Sequence, residues 1–158
     1  MDFEVRRGGV EDVERLEPLW RALWSHHIAQ PEMPPTRTAE AAWEIRSGQY
    51  RDWLTRDEYT LLLAERDGRA VGYAVVSIGD GAVTWDVGDN VAEIETLSVL
   101  ETERGTGVGK ALMDAAEEVA NEAGVGTLIV GVAHTNAGAL RFYEREGYSP
   151  FYVTLMKS

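Results

Sequence analysis

The stretch Arg104-Gly105-Thr106-Gly107-Val108-Gly109-Lys110 decides how the rest of this chain is read. It follows an apolar, strand-like run ending Leu97-Ser98-Val99, and it opens onto a helix. Spacing predicts that helix: Val108, Ala111, Leu112, Ala115, Ala116, Val119 and Ala120 form one apolar stripe. A glycine-rich turn at a helix N-terminus gathers free backbone N–H groups and the positive end of the helix dipole. Such a turn can cradle a pyrophosphate with no large side chain in the way.

Two nucleotide-binding motifs fail on this loop. A P-loop, G-x-x-x-x-G-K-[ST], would need glycine at Arg104 and Ser or Thr at Ala111. A dinucleotide fingerprint starting at Gly105 would need its third glycine where Lys110 stands.

A chain of 158 residues is read as one domain, 1–158, large enough for a real core. Its 44% hydrophobic and 27% charged residues are ordinary for a globular protein. No run approaches a membrane span, and the N-terminus lacks the apolar stretch of a secretory signal. No cysteine is present, so a disulfide frame and a thiolate nucleophile are both excluded, and a cytoplasmic location is expected. The formal charge of −12 argues against nucleic acid and permits a cationic partner, or serves solubility alone. A polyanionic ligand would then depend on local positive potential from loop N–H groups, Arg104 and Lys110, because screening limits the reach of the total charge.

Along the chain, Phe3 to Arg7 alternates as a first strand. A helix is predicted from about Val10, with Pro18 kinking or dividing it. The pair His26-His27 reads as a solvated helix end in preference to a metal site, and no metal centre is predicted. After the proline-rich break Pro31 to Pro35, a second helix runs from Thr38 toward Leu54. Tyr59 to Glu65 and Ala70 to Ile78 form a hairpin around Asp67-Gly68. Asp80-Gly81 is a further turn signal, followed by Ala82 to Val87, and Val91 to Leu100 leads into the loop. Thr127 to Val132 suits a strand buried on both faces and parallel to the one before the crossover helix. Asn136 caps a last helix that Gly147 ends, and Phe151 to Met156 is expected as a final strand.

The loop resembles R/Q-x-x-G-x-G/A, the acyl-CoA signature of the GNAT superfamily of N-acetyltransferases, with Arg104, Gly107 and Gly109 filling it. A second stretch, Asn136 to Tyr148, resembles the family's N-x-x-A-x-x-F-Y-x-x-x-G-F/Y motif through Asn136, Ala139, Phe142, Tyr143, Gly147 and Tyr148. The two lie in the family's order, with one helix and one strand between them, and the clear match covers residues 93–148.

The resemblance implies an α/β (α+β) mixed sheet of about six or seven strands flanked by about four helices. An antiparallel meander would adjoin a parallel pair that splays apart at Leu97 and Ile129. Acetyl-CoA would be the cosubstrate, its pantetheine arm bonded to backbone around Leu97, Ser98 and Val99. Its pyrophosphate would lie on Gly105, Thr106, Gly107, Val108, Gly109 and Lys110, with Asn136, Ala139, Phe142 and Tyr143 completing the site. The loop glycines equally suit a tight strand-to-helix turn.

Transfer to an amine needs a base, an N–H donor for the oxyanion and an acid for the thiolate. Glu93 and Glu95 share a strand face, so by resemblance either is a base, or both are merely solvated or ion-paired. A bulge near Leu97 would supply the oxyanion N–H. Tyr143 is the resemblance's acid, or an apolar contact on the last helix, and His134 is a lesser candidate to assist. The expected acceptor is a primary amine, small molecule or protein. A cationic one is favoured if Asp86, Asp89, Glu93 and Glu95 line its site. A non-catalytic acyl-CoA-binding module, a different acyl group such as succinyl, and a homodimer are the other arrangements the sequence allows.

Overall fold

A computed structural model describes residues 2–158. Its centre is a five-stranded sheet in sequence order: β1 (Phe3–Gly8), β2 (Tyr59–Arg66), β3 (Arg69–Asp80), β4 (Asn90–Val99) and β5 (Leu128–Val130). The first four strands are antiparallel, and β4 and β5 run parallel. The fold class is the mixed sheet the sequence predicts, with fewer strands. Among the described residues, no helix is long and apolar enough to cross a membrane.

Pro18 does divide the first helical segment. Val10–Leu16 is a 3-10 helix, and α1 (Glu17–Ile28) restarts with the proline in its first turn, where its missing N–H costs nothing. Thr38 caps α2 (Ala39–Trp53) by accepting from the Ala41 N–H at 3.2 Å. Asp67 and Gly68, both at positive φ, turn the β2–β3 hairpin. Gly124, at φ +74°, stops α3 (Val108–Glu122), and Gly147, at φ +92°, follows α4 (Ala137–Arg145).

Both faces of the sheet are covered. The α3 stripe (Val108, Leu112, Met113, Ala116, Val119 and Ala120) packs on Leu62, Ala74, Val76 and Ile94. On the other face Leu16, Leu19, Trp20 and Tyr50 pack on Leu61, Leu63, Tyr73 and Val75. Full burial of each such side chain contributes roughly 1.5–3 kcal/mol, so the two clusters hold the helices in place.

Two local expectations are corrected, for the tail and for β5, and the unassigned stretch Ala82–Val87 is placed. The tail Phe151–Met156 forms no strand and is exposed, with Val153 82% and Leu155 89% accessible. Alternation is a local property, whereas a strand requires a neighbouring edge to bond. Ala82–Val87 belongs to a loop between β3 and β4. β5 is three residues long and half-buried instead of enclosed on both faces, because it is the edge of the sheet.

Candidate active site

Two departures from a regular sheet shape the site. First, the β3–β4 ladder slips: Val75 lies opposite Thr96 and Val76 opposite Ile94. Glu95 is therefore an extra, unpaired residue, a bulge two positions before the expected Leu97. The slip reverses which residues of β4 face which helices. Ala92 and Ile94 lie on the α3 side before it, and Leu97 and Val99 after it. Second, β5 pairs with β4 only at Ala92–Leu128, Glu93–Ile129 and Ile94–Val130. Among the described residues that edge of β4 has no strand partner beyond Ile94, so the backbone of Leu97, Ser98 and Val99 borders a gap between the strands.

The glycine loop ends at this gap. Gly105 (φ +77°) and Gly107 (φ +92°) hold left-handed backbone that a side chain would strain. Gly107 is the N-cap of α3. No side chain caps this helix end, and its first turn carries no acidic residue. The first amide of the turn to find a carbonyl is that of Ala111, bonded to Gly107 at 3.0 Å, so Val108, Gly109 and Lys110 precede the first intrahelical acceptor. By contrast, the N-terminal turns of both α1 and α2 contain a glutamate. The nearby Glu103 carboxylate is held by Arg66 at 2.9 Å, and the Thr106 hydroxyl donates to the Glu103 carbonyl at 2.6 Å. This end of α3 thus has the free donors and positive dipole suited to a phosphate.

The side chains around the loop have structural partners of their own. Val108 is fully buried in the core. A Cβ on Gly109 would sit 3.3 Å from the Phe142 ring, so glycine there lets α3 approach α4. The Lys110 ammonium is engaged by Asp114 at 3.0 Å. Arg104 is exposed and, among the described residues, forms no ion pair. Ser98 turns its hydroxyl to the Leu19 carbonyl at 2.8 Å, tying α1 to β4. Asn136 caps α4 by accepting from the Ala139 N–H at 3.1 Å.

Glu93 and Glu95 lie on the α1–α2 side of the sheet. Burial, then the neighbouring Glu95 charge, raises the Glu93 pKa. Glu95 and Thr96 reach a cleft of about 370 Å³ walled by Trp20, Trp24, Ile45 and Arg46. Glu95 is fixed by the Ser77 hydroxyl, and Thr96 belongs to a buried chain in which Tyr50 Oη lies 2.8 Å from Thr96 Oγ1 and 3.0 Å from Tyr73 Oη. Of Asp86, Asp89, Glu93 and Glu95, Glu95 alone lines this cleft among the described residues.

Tyr143 lies on the opposite side of the sheet, against the α3 cluster, with its ring 5.2 Å from Phe142 and 5.7 Å from Tyr148. Burial, then Tyr148, pushes its pKa up to about 12. His134 faces Glu32 at 3.9 Å on the exterior. Sequence reasoning missed Ser77, Tyr50, Tyr73 and Arg46. Nothing local marks them, because their roles follow from cross-strand register and the seating of α2 on the sheet. Among the described residues no three His, Cys, Asp or Glu side chains stand close enough to share a metal ion.

Residues 20–148 match the profile of the Acetyltransferase (GNAT) family. An uncharacterized N-acetyltransferase of Mycobacterium tuberculosis is 33% identical over 104 residues, 66% of this chain and 62% of its own length. A mycothiol acetyltransferase of Thermobispora bispora is 29% identical over 90% of this chain and 46% of its own. This chain thus spans less than two thirds of either relative. Among solved structures, the aminoglycoside N-acetyltransferase AAC(6')-Iy in complex with CoA superposes with a TM-score of 0.79 at 20% identity, covering 99% of this chain and 93% of that one.

Proposed function

The chain belongs to the acetyltransferase (GNAT) family, and we propose that it transfers the acetyl group of acetyl-CoA to a primary amine by direct attack within a ternary complex. The observation that carries this reading is the gap between β4 and β5. From Ile94 onward this gap borders Glu95 and Thr96, which line the cleft, and runs to Val99 beside Gly109 in the first turn of α3. A thioester threaded through it would have its phosphates on one side and an acceptor on the other. Residues 1–158 act in this reading as one catalytic domain.

Acetyl-CoA supplies an activated acyl carbon. The free N–H groups of the Gly105 to Lys110 loop, those of Val108, Gly109 and Lys110 among them, bind its phosphates, and the free edge of β4 at Leu97 to Val99 orients its arm as an added strand would. Arg104, exposed and without an ion pair among the described residues, adds positive charge. Asn136, Ala139 and Phe142 contribute by setting where α4 begins and how closely it meets α3.

An alkylammonium of pKa near 10.4 must lose a proton before it attacks, a cost of roughly 4–5 kcal/mol at pH 7. Glu95 accepts that proton, directly or through water. The nitrogen then forms a bond to the acyl carbon and gives up its second proton to solvent, and the C–S bond breaks to leave the amide and CoA thiolate. Irregular backbone at the Glu95 bulge offers an N–H for the transient oxyanion. Tyr143 remains protonated and donates a hydrogen bond to the departing sulfur. Its pKa lies above a thiol's, about 8.5, so it stabilises the thiolate without fully surrendering its proton.

Steady-state assay of CoA release across an amine panel tests the reading. Amine-dependent CoA release is expected, and tight CoA binding without it would mark a non-catalytic binding module instead.

A further inference from the structure

The cleft around Glu95 differs in charge from the protein that contains it. The chain carries 27 acidic and 15 basic residues, yet two arginines, Arg37 and Arg46, face this cleft against the single carboxylate of Glu95. Elsewhere, seven arginines hold an Asp or Glu partner. Among the described residues neither Arg37 nor Arg46 has one. Arg46 is half-buried, its guanidinium 5.8 Å from the centres of the Tyr50 and Trp53 rings, which fix it without neutralising it. In so acidic a chain, a partly desolvated guanidinium left without a carboxylate at a cleft wall is suited to an anion from outside. His27 adds no further charge, because desolvation, then His26 and Arg46, lowers its pKa. Trp20 and Trp24 give the cleft an aromatic wall.

We propose that this cleft accepts an amine that also bears an anionic group, a carboxylate or a phosphate, and an apolar body. Arg46 and Arg37 hold the anion, Trp20 and Trp24 cover the apolar body, and Glu95 receives the amine. The inference rests on the transferase reading and makes it more specific. It replaces the cationic acceptor expected from net charge, since a polycation would meet two guanidinium groups and one carboxylate. The zwitterion matches both signs.

The test uses matched amines with the full chain: 2-phenylethylamine, phenylalaninamide, phenylalanine and O-phosphotyramine. At least one anionic member is expected to exceed both non-anionic amines in kcat/KM by about tenfold or more, the usual worth of one charge-assisted hydrogen bond. Phenylalanine against O-phosphotyramine separates carboxylate from phosphate. Arg46→Gln is expected to collapse that preference through KM, and Arg46→Lys to restore part of it. If Arg46→Gln fails to fold, Arg37→Gln, at an exposed position, carries the same test. Calorimetric titration of the four amines into CoA-saturated protein reads the cleft without turnover, so the inference and the transferase reading fail separately. Equal or better use, or binding, of the non-anionic amines overturns the proposal.

Discussion

The Ser77 hydroxyl donates a 2.7 Å hydrogen bond to Glu95 Oε1, just where the β3–β4 ladder slips by one residue. A bulged side chain is otherwise free to take several rotamers, and this bond selects one that reaches the cleft. The carboxylate that reaches the cleft is therefore held by a neighbouring strand. On the proposed mechanism, Glu95→Gln lowers kcat/KM at pH 7 by roughly 10²–10⁴-fold, the range for loss of a general base. Ser77→Ala, which loosens Glu95 without removing it, lowers it by about tenfold or less. Steady-state rates for both variants check this, and a loss under about threefold in Glu95→Gln would place the base elsewhere.

Glu93 gives a pH signature in stability. Its folded pKa is raised, by burial first and Glu95 second, so the native state binds more protons than the unfolded state between the two values. Stability contributed by Glu93 is then present below the unfolded pKa, near 4.3, and falls as pH rises through the folded one. Glu93→Gln removes the penalty. Its melting temperature at pH 7 is expected to exceed the wild type's by roughly 1–2 °C, a small gain because the site is partly solvated. The advantage should vanish below about pH 4. Thermal melts at the two pH values measure it, and a lower melting temperature at pH 7 would contradict the cause assigned.

Tyr143→Phe is expected to reduce kcat by roughly ten- to a hundredfold while leaving the acetyl-CoA dissociation constant within about twofold, since a hydrogen bond to the departing sulfur forms only as the C–S bond breaks. With its pKa near 12, Tyr143 produces no alkaline limb in the rate profile below about pH 10. Rates from pH 6 to 10, with an acceptor for which chemistry limits turnover, test both statements. An unchanged kcat in the variant would reduce Tyr143 to a packing residue.

Gly107 and Gly109 should respond differently to glutamate. At Gly107 a side chain enters a left-handed backbone, costing about 1–3 kcal/mol, and places a carboxylate beside the free N–H groups. Coenzyme A affinity is expected to fall about a hundredfold. At Gly109 the new side chain meets the Phe142 ring, so α3 and α4 must separate, and the melting temperature should drop by roughly 5 °C or more. Calorimetry with CoA and a thermal melt of each variant distinguish the two. Unchanged CoA affinity in Gly107→Glu would remove the phosphate from this loop.

Much of this protein was legible because its signals are local. The α3 stripe, the Asn136 cap and the Asp67-Gly68 turn each depend on residues a few positions apart. The same holds for Pro18 at the start of α1. These are constraints of backbone conformation and helical period, and they act before any distant contact forms. The crossover from β4 through α3 to a parallel β5 followed from them too, because a helix between two strands returns the chain in the same direction.

Tertiary structure decided the rest. The tail Phe151–Met156 has the composition of a strand and, among the described residues, pairs with no strand, while the Trp85 Nε1–H donates to Tyr152 Oη at 2.9 Å from the loop between β3 and β4. The bulge expected near Leu97 fell at Glu95, two positions before it, because the register of β4 is set by β3, on the far side of a loop. Arg46 and Glu95, 49 positions apart in sequence, came to line one cleft only when α2 docked on the sheet through Tyr50. Register and docking are settled by which apolar faces bury together, a property of pairs of distant segments that neither segment carries alone.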